Sequence, residues 1–172
     1  MRDLAPFTVI IGEEIKTTMG EVTGLFLQQE IPQGLSPVET ARLIKEQGGL
    51  VSIPHPFDPV RRSVLRQQGL DDVLPYADIV EGFNARNARG KDNVRAHQLA
   101  MEHGLLVSSV SDAHTLMEIG RSYVEMPEFD GTAQDFKRAL VHGNIVGHKS
   151  SVLVHLASTF NRVVNLFVRG YR

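Results

Sequence analysis

Short apolar runs alternate along this chain with longer stretches of helical periodicity. Phe7 to Ile11 is β-branched and aromatic, bounded by Pro6 and Gly12, and reads as a buried strand. Glu21 to Leu27 reads as a second strand, with Gly20 marking the turn before it. Ser36-Pro37-Val38-Glu39 is a helix start, with Ser as N-cap, Pro at the first helical position and Glu at the third. That helix runs through Ala41, Leu43 and Ile44 to a stop at Gly48-Gly49. Leu50 to Ile53 is the next strand. Helical turns are expected around Val64 and Val73, then a strand from Asp78 to Phe83 that leads into Asn84-Ala85-Arg86-Asn87. A helix is predicted from about Ala88 to His103, closed by Gly104, followed by a strand from Leu105 to Val110. Two more helices are expected, Thr132 to His142 and Ser150 to Phe167.

Strand–helix alternation is the pattern of a parallel α/β fold. Such folds place their sites at the carboxyl ends of strands, and the chain puts its chemically able residues there. No internal repeat, low-complexity tract or domain linker interrupts the 172 residues, which suffice for one domain with a proper core. In the final stretch, Val152, Leu156, Phe160, Val163 and Phe167 share one helical face, and His155, Arg162 and Arg169 lie on another. The usual explanation is a core-packing helix with a basic outer face; a helix lying on a membrane surface or on nucleic acid is the alternative.

Composition narrows the picture only modestly. A hydrophobic content of 42% and a net charge of −2 imply no overall attraction to nucleic acid or anionic membrane. The charge is unevenly spread, since no Asp or Glu follows Asp135 whereas six Lys and Arg residues do. Cysteine is absent, which excludes a disulfide framework and a thiolate zinc site and agrees with a cytoplasmic location. No signal peptide is evident after Met1-Arg2-Asp3, and no run reaches the roughly 18 apolar residues of a spanning helix.

Three strand ends carry candidate chemistry. Ser111-Asp112-Ala113-His114 follows the Leu105–Val110 run. Along an extended segment Asp112 and His114 would point the same way and could share a cation. Read alone, Asp112 could instead cap the turn at Thr115, with His114 at the surface. His55 lies between Pro54 and Pro56, and Pro56 is expected to push it toward extended geometry. A histidine in a tight proline turn is the structural alternative. Of Glu13 and Glu14, one should face inward, where a carboxylate needs a partner. Glu81 raises the same question from within an apolar strand: a ligand, a carboxylate orienting a histidine, or the partner of an arginine. Arg61, Arg62, Arg86 and Arg121 follow these strands or loops, and Arg86, beside Asn84 at a strand exit, is the first candidate to hold an anion. His97, His103, His142, His148 and His155 belong to expected helices or to the basic end and promise less.

Taken together these residues resemble a known family. Gly12-Glu13-Glu14, His55-Pro56 after Gly-Gly-Leu-Val-Ser-Ile, Ile-Val-Glu-Gly-Phe-Asn-Ala-Arg and Ser-Asp-Ala-His are similar, in order and spacing, to the later motifs of the PHP superfamily. These are the polymerase-and-histidinol-phosphatase domains, metal-dependent phosphoesterases. The resemblance covers roughly residues 7 to 148. It implies a distorted TIM-like β/α barrel, here partial, with a PHP-like domain over residues 1–148 and a basic amphipathic C-terminal helix over residues 149–172. It implies divalent metal ions (Zn, Mn or Fe) held by Glu14, His55, Asp112 and His114, with Glu81 behind them and Asn84 and Arg86 as candidate phosphate contacts.

The resemblance also marks two departures. The family often has a further histidine after the second strand; here that strand reads Glu21-Val22-Thr23-Gly24-Leu25-Phe26, with no histidine. The family opens with a His-x-His strand, and no histidine precedes His55 here. The expectation is therefore a truncated barrel, against the about 250 residues of a complete one. Its open sheet edge would need covering, for instance by a second copy of the chain. Two functions follow. One is hydrolysis of a phosphoester, on a phosphorylated small molecule or a nucleotide, by metal-bound hydroxide. The other is a non-catalytic binding or assembly module, oligomeric, with polyanions such as nucleic acid among its partners. A different barrel hydrolase, of the amidohydrolase kind, is a third and weaker reading.

Overall fold

The computed structural model describes residues 5–87 and 89–148. The helix expected from Ser150 to Phe167, and the unit expected over residues 149–172, lie outside the described residues.

Seven strands and four α-helices are described: β1 Gly12–Thr17, β2 Gly20–Leu25, α1 Pro37–Glu46, β3 Leu50–Ile53, α2 Gln67–Val73, β4 Ile79–Asn84, α3 Gly90–His103, β5 Leu106–Val110, β6 Ser122–Glu125, α4 Ala133–Val141 and β7 Asn144–Gly147. Strands β1 to β5 form one open sheet in sequence order, and β6 and β7 form a separate two-stranded ribbon. The sheet is mixed. Strands β3, β4 and β5 are parallel, as the alternating pattern predicts, whereas β1–β2 and β2–β3 are antiparallel.

Local chemistry explains the elements that match expectation. Ser36 caps α1 in a full capping box, its side chain accepting from Glu39 N–H while Glu39 accepts from Ser36 N–H. Gly104, with φ of 64°, ends α3 in the left-handed conformation that glycine adopts without strain. Thr132 caps α4 by accepting from Asp135 N–H.

The first strand is a correction. Phe7 to Ile11 does not pair in the sheet, and Phe7 is 71% exposed. The hairpin turn at Thr17–Gly20 sets the register instead, with Thr17 Oγ1 donating to Gly20 O at 2.7 Å. That register pairs Glu14 with Thr23 and draws Gly12–Thr17 into the sheet. The helical turn expected around Val64 is absent, and α2 begins at Gln67. The β6–β7 ribbon was not expected, because its strands are short and half-exposed and carry no clear alternation.

Each face of the sheet has its own cover. Ile15, Val22, Val51, Ile53 and Val80 pack in one core with Ala41 and Ile44 of α1, Leu70 and Val73 of α2 and Leu99 of α3. Leu50 and Ile79 pack with Leu140 of α4 and the half-buried Phe26 and Phe136. The Phe26 and Phe136 rings are 5.3 Å apart. A loop follows β2 and returns along β1, with Gly34 N–H donating to Lys16 O at 2.7 Å and Ile31 N–H to the Glu13 carboxylate at 3.1 Å. Glu13 is thereby used in structure, which leaves Glu14 for other contacts. Among the described residues no helix is long and apolar enough to cross a membrane.

Strand β4 carries two features that decide where the site lies. Its register against β5 shifts between Glu81 and Phe83, so Gly82 is an extra residue, a bulge. A Cβ at Gly82 would lie 2.2 Å from Val107 Cγ1 and 3.1 Å from the His97 ring. Just before the strand, Asp78 is bonded by Lys45 of α1, by Lys137 of α4 at 2.8 Å and by Val51 N–H of β3 at 2.9 Å. Burial raises the Asp78 pKa, but these three donors outweigh it and hold the carboxyl below its ordinary range.

Gly82→Ala is expected to cost about 1–3 kcal/mol, from overpacking against the stiff Val107 side chain. Urea unfolding measures it, and an unchanged midpoint would mean that the bulge relaxes freely. Asp78→Asn is expected to cost about 2 kcal/mol at neutral pH. Because the folded pKa is depressed, the wild-type advantage should be present above the unfolded value of about 4 and fade as pH falls through the lower folded value. Unfolding curves of both proteins at neutral and strongly acid pH test this.

Candidate metal centre

The site gathers at the carboxyl ends of β3, β4 and β5, together with the amino end of β2. Strand β2 runs antiparallel to β3, pairing Thr23 with Ser52 and Leu25 with Leu50, so Glu21 lies beyond the end of β3. Strand β1 pairs Glu14 with Thr23 and Lys16 with Glu21. Opposed residues share a face, so Glu14 and Glu21 are diagonal neighbours on one side of the hairpin.

His55 follows β3 by two residues. It is not extended as its prolines suggest: its φ is 30°, in the left-handed region that non-glycine residues seldom occupy. In that conformation Nε2 lies 3.1 Å from Glu14 Oε1 and 3.9 Å from Glu21 Oε2. The ring is 1% exposed, and its Nδ1 is buried without a hydrogen-bond partner. The bond from His55 holds the Glu14 carboxyl below its usual pKa. Burial opposes that effect, while the charges of His55, Arg61 and His114 reinforce it.

The Asp112–His114 pair is also built on a turn. Asp112 has φ of 49°, so the expectation of one extended run with both side chains pointing the same way is not met. Instead His114 Nδ1 donates to the Asp112 carbonyl at 2.9 Å and lies 3.7 Å from Asp112 Oδ1. A carbonyl only accepts, so this bond fixes the proton on Nδ1 and the lone pair on Nε2, the form in which an imidazole binds metal.

Glu81 and Asn84 link the two halves. The Gly82 bulge turns both side chains toward one another, and Asn84 Nδ2 donates to Glu81 Oε2 at 3.1 Å and to Asp112 Oδ2 at 3.2 Å. Glu81 Oε2 also accepts from His55 N–H at 2.9 Å. Glu81 therefore orients His55 through its backbone rather than its ring. Burial pushes the Glu81 pKa up, against the pull of His55 and of its hydrogen bonds. Arg61 joins the same cluster, bonding Asp58 Oδ2 through Nε at 3.2 Å and reaching Asp112 with its guanidinium.

Arg86 stands apart from these carboxylates. It is 9% exposed, and Nη1 donates to Glu118 Oε1 at 2.9 Å. The other oxygen of Glu118 accepts from His114 N–H at 3.0 Å and Thr115 Oγ1 at 3.1 Å. The pair thus braces the turn that carries His114. Beyond it, Leu116, Met117 and Ile119 are 86%, 76% and 67% exposed. A cleft of about 890 Å³ elsewhere, lined by Phe26, Gln47 and Thr132, contains none of the candidate site residues.

All four expected ligands thus fall in one cluster, joined by Glu81 and Asn84. Sequence reasoning missed Glu21 as a neighbour of His55, the Arg61–Asp112 contact and the bracing role of Glu118. For Glu21 a signal existed: Glu14 and Glu21 flank the hairpin turn at a spacing that puts both on one face. For Glu118 and Arg61 no local pattern marks the contact.

Comparison with known proteins follows the same line. Residues 90–145 match the family described as PHP-associated. Over that segment the chain is similar to PHP-associated proteins. An uncharacterized protein of Methanocaldococcus jannaschii is 38% identical over 124 residues, which is 70% of this chain and 52% of the relative. A second from the same organism is 49% identical over 84 residues, 48% of this chain and 46% of the relative. The chain spans about half the length of these curated relatives. Among solved structures, PsfC from Pseudomonas syringae superposes with a TM-score of 0.63 at 19% identity, over 89% of this chain and 65% of that one. A two-domain protein from Bacteroides vulgatus, containing a predicted PHP-like metal-dependent phosphoesterase, gives 0.62 at 18% identity, over 86% and 47%. At these identities the likeness is one of fold, a mixed α/β sheet.

Glu118→Ala should cost about 3 kcal/mol by stranding buried Arg86 and freeing the His114 turn. Urea unfolding gives the energy, and amide exchange at His114 reports the turn; unchanged protection there would reject the bracing role.

Proposed function

We propose that this chain belongs to a metal-dependent phosphoesterase and carries part of its metal-binding face, with Glu14, His55, Asp112 and His114 as ligands. The observation that carries the reading is the convergence of imidazole and carboxylate groups from five strands at one end of the sheet, cross-linked by Glu81 and Asn84. The donor set suits Zn, Mn or Fe: imidazole nitrogen and carboxylate oxygen, without thiolate. His114 already holds its Nε2 lone pair by donating from Nδ1 to the Asp112 carbonyl.

A divalent metal would supply an acidified water and neutralise charge on the phosphoryl oxygens. The chain's own residues do the positioning. Glu81 fixes the backbone of His55, Asn84 spaces Glu81 from Asp112, and the Arg86–Glu118 pair holds the His114 turn. Arg61, bonded to Asp112 within the cluster, and Arg86, at its flank, are the guanidinium groups that would favour an anionic phosphoester such as a nucleotide. In this reading the open five-stranded sheet corresponds to part of a distorted β/α barrel, its site at the strands' carboxyl ends.

The exposed Leu116, Met117 and Ile119 beside His114 favour a second reading, a binding or assembly module. That module would be oligomeric, and metal would not be needed to keep it so.

With Mn or Zn the chain should hydrolyse a simple aryl phosphomonoester, and His114→Ala should lower the rate by about 100-fold or more. A metal-loaded, folded chain without activity would count against the hydrolytic reading. Size-exclusion chromatography with and without chelator addresses the second, which a chelator-sensitive monomer would sink.

A further inference from the structure

The carboxylate of Glu21 is the least explained charged group at the site. The residue is 6% exposed. Among the described residues its side chain makes no hydrogen bond, and its ion-pair partner within 4.0 Å is His55 alone, at 3.9 Å. Lys16 sits directly opposite in the β1–β2 register, yet forms no ion pair with it. The carboxylate therefore turns away from the lysine across the hairpin and toward the His55 ring. A buried carboxylate with so little compensation is costly unless a cation completes its surroundings.

The spacing fits a shared cation. Glu14, Glu21 and His55 each offer one donor atom, and these lie within 4.8 Å of one another. Two donors bound tetrahedrally to one zinc at about 2.1 Å stand roughly 3.4 Å apart. The Nε2–Glu14 and Nε2–Glu21 separations of 3.1 and 3.9 Å bracket that value. The three residues also come from rigid elements: two from one hairpin, the third from the turn that Glu81 ties down.

We infer that Glu21 is a metal ligand, and that Glu14, Glu21 and His55 form a cation site that binds a divalent ion without help from Asp112 or His114. The inference rests on the metal-dependent reading above, but it concerns binding rather than hydrolysis. It divides the cluster into two parts. The hairpin part holds one ion through two carboxylates and an imidazole. The Asp112–His114 part, joined through Asn84 and engaged by Arg61, is a separate half-site.

Calorimetry of the chain with Zn(II) or Mn(II) tests this. Wild type should bind at least one ion, Asp112→Asn should keep that ion, and Glu21→Gln should weaken it at least tenfold. Glu21→His should restore it, which a merely structural role for Glu21 would not do. Unaltered affinity in Glu21→Gln, loss of all binding in Asp112→Asn, or no binding by wild type would each overturn the inference. Should the Glu21 variants fail to fold, carbon-13 spectra of the wild-type chain decide. One equivalent of Zn(II) should shift the Glu21 carboxyl carbon together with the His55 ring nuclei, and an unmoved Glu21 carbon would overturn the inference. Failure of hydrolysis with the Glu21-dependent ion bound would sink the phosphoesterase reading and leave this one standing.

Discussion

Strand β4 carries a buried carboxylate just before it, Asp78, and a half-buried one within it, Glu81, and each must find its own donors. At the foot, Asp78 takes two lysines and a backbone N–H, drawn from α1, α4 and β3. At the head, Glu81 takes the His55 N–H and the Asn84 amide. A carboxylate left without such partners in a packed interior would cost several kcal/mol. Satisfying both therefore fixes how the layers sit. The lysines bring a helix from each face of the sheet to the foot. The head draws the turns after β3 and β4 into contact.

The two ends differ in how completely they are satisfied. Around Asp78, donors match acceptors, and the carboxyl stays ionised. At the head, carboxylates outnumber obvious cations. Glu14, Glu21, Glu81, Asp58 and Asp112 crowd around Arg61 and two imidazoles. Like charges brought together in a half-buried place are held there by the rest of the fold rather than by one another. The backbone shows the same tension. His55 and Asp112 occupy left-handed conformations at the exits of β3 and β5, where side chains rarely go unless surrounding structure compels them. Unmatched charge and backbone strain thus coincide at one end of the sheet.

The bracing beyond this cluster follows a related logic. Glu118 spends one oxygen on Arg86 and the other on the His114 turn, so a buried ion pair joins the end of β4 to the loop after β5. That loop exposes Leu116, Met117 and Ile119. A charged pair suits the task better than apolar packing would, because its hydrogen bonds fix direction as well as distance.

Much of this protein was decided by local chemistry and could be read from the chain. The capping box at Ser36, the glycine stop at Gly104 and the apolar run at Leu50–Ile53 act within a few residues, and each placed its element closely. That Glu14, His55, Glu81, Asp112 and His114 meet at one end of the sheet was legible, because strand exits in α/β folds converge. Other features needed the tertiary structure. Phe7–Ile11 has strand composition, yet the turn before Gly20 decides which residues pair. His55 and Asp112 are written as extended positions, but the contacts around them hold both in left-handed turns. Glu21 is an ordinary strand residue until the β2–β3 register carries it past the end of β3 to His55. The bulge at Gly82, set by the close approach of Val107 and His97, aims Glu81 and Asn84 at each other. Propensity and capping are short-range and leave their mark in neighbouring residues. Register, strain and charge compensation join residues far apart in the chain, and only the assembled sheet brings them within reach.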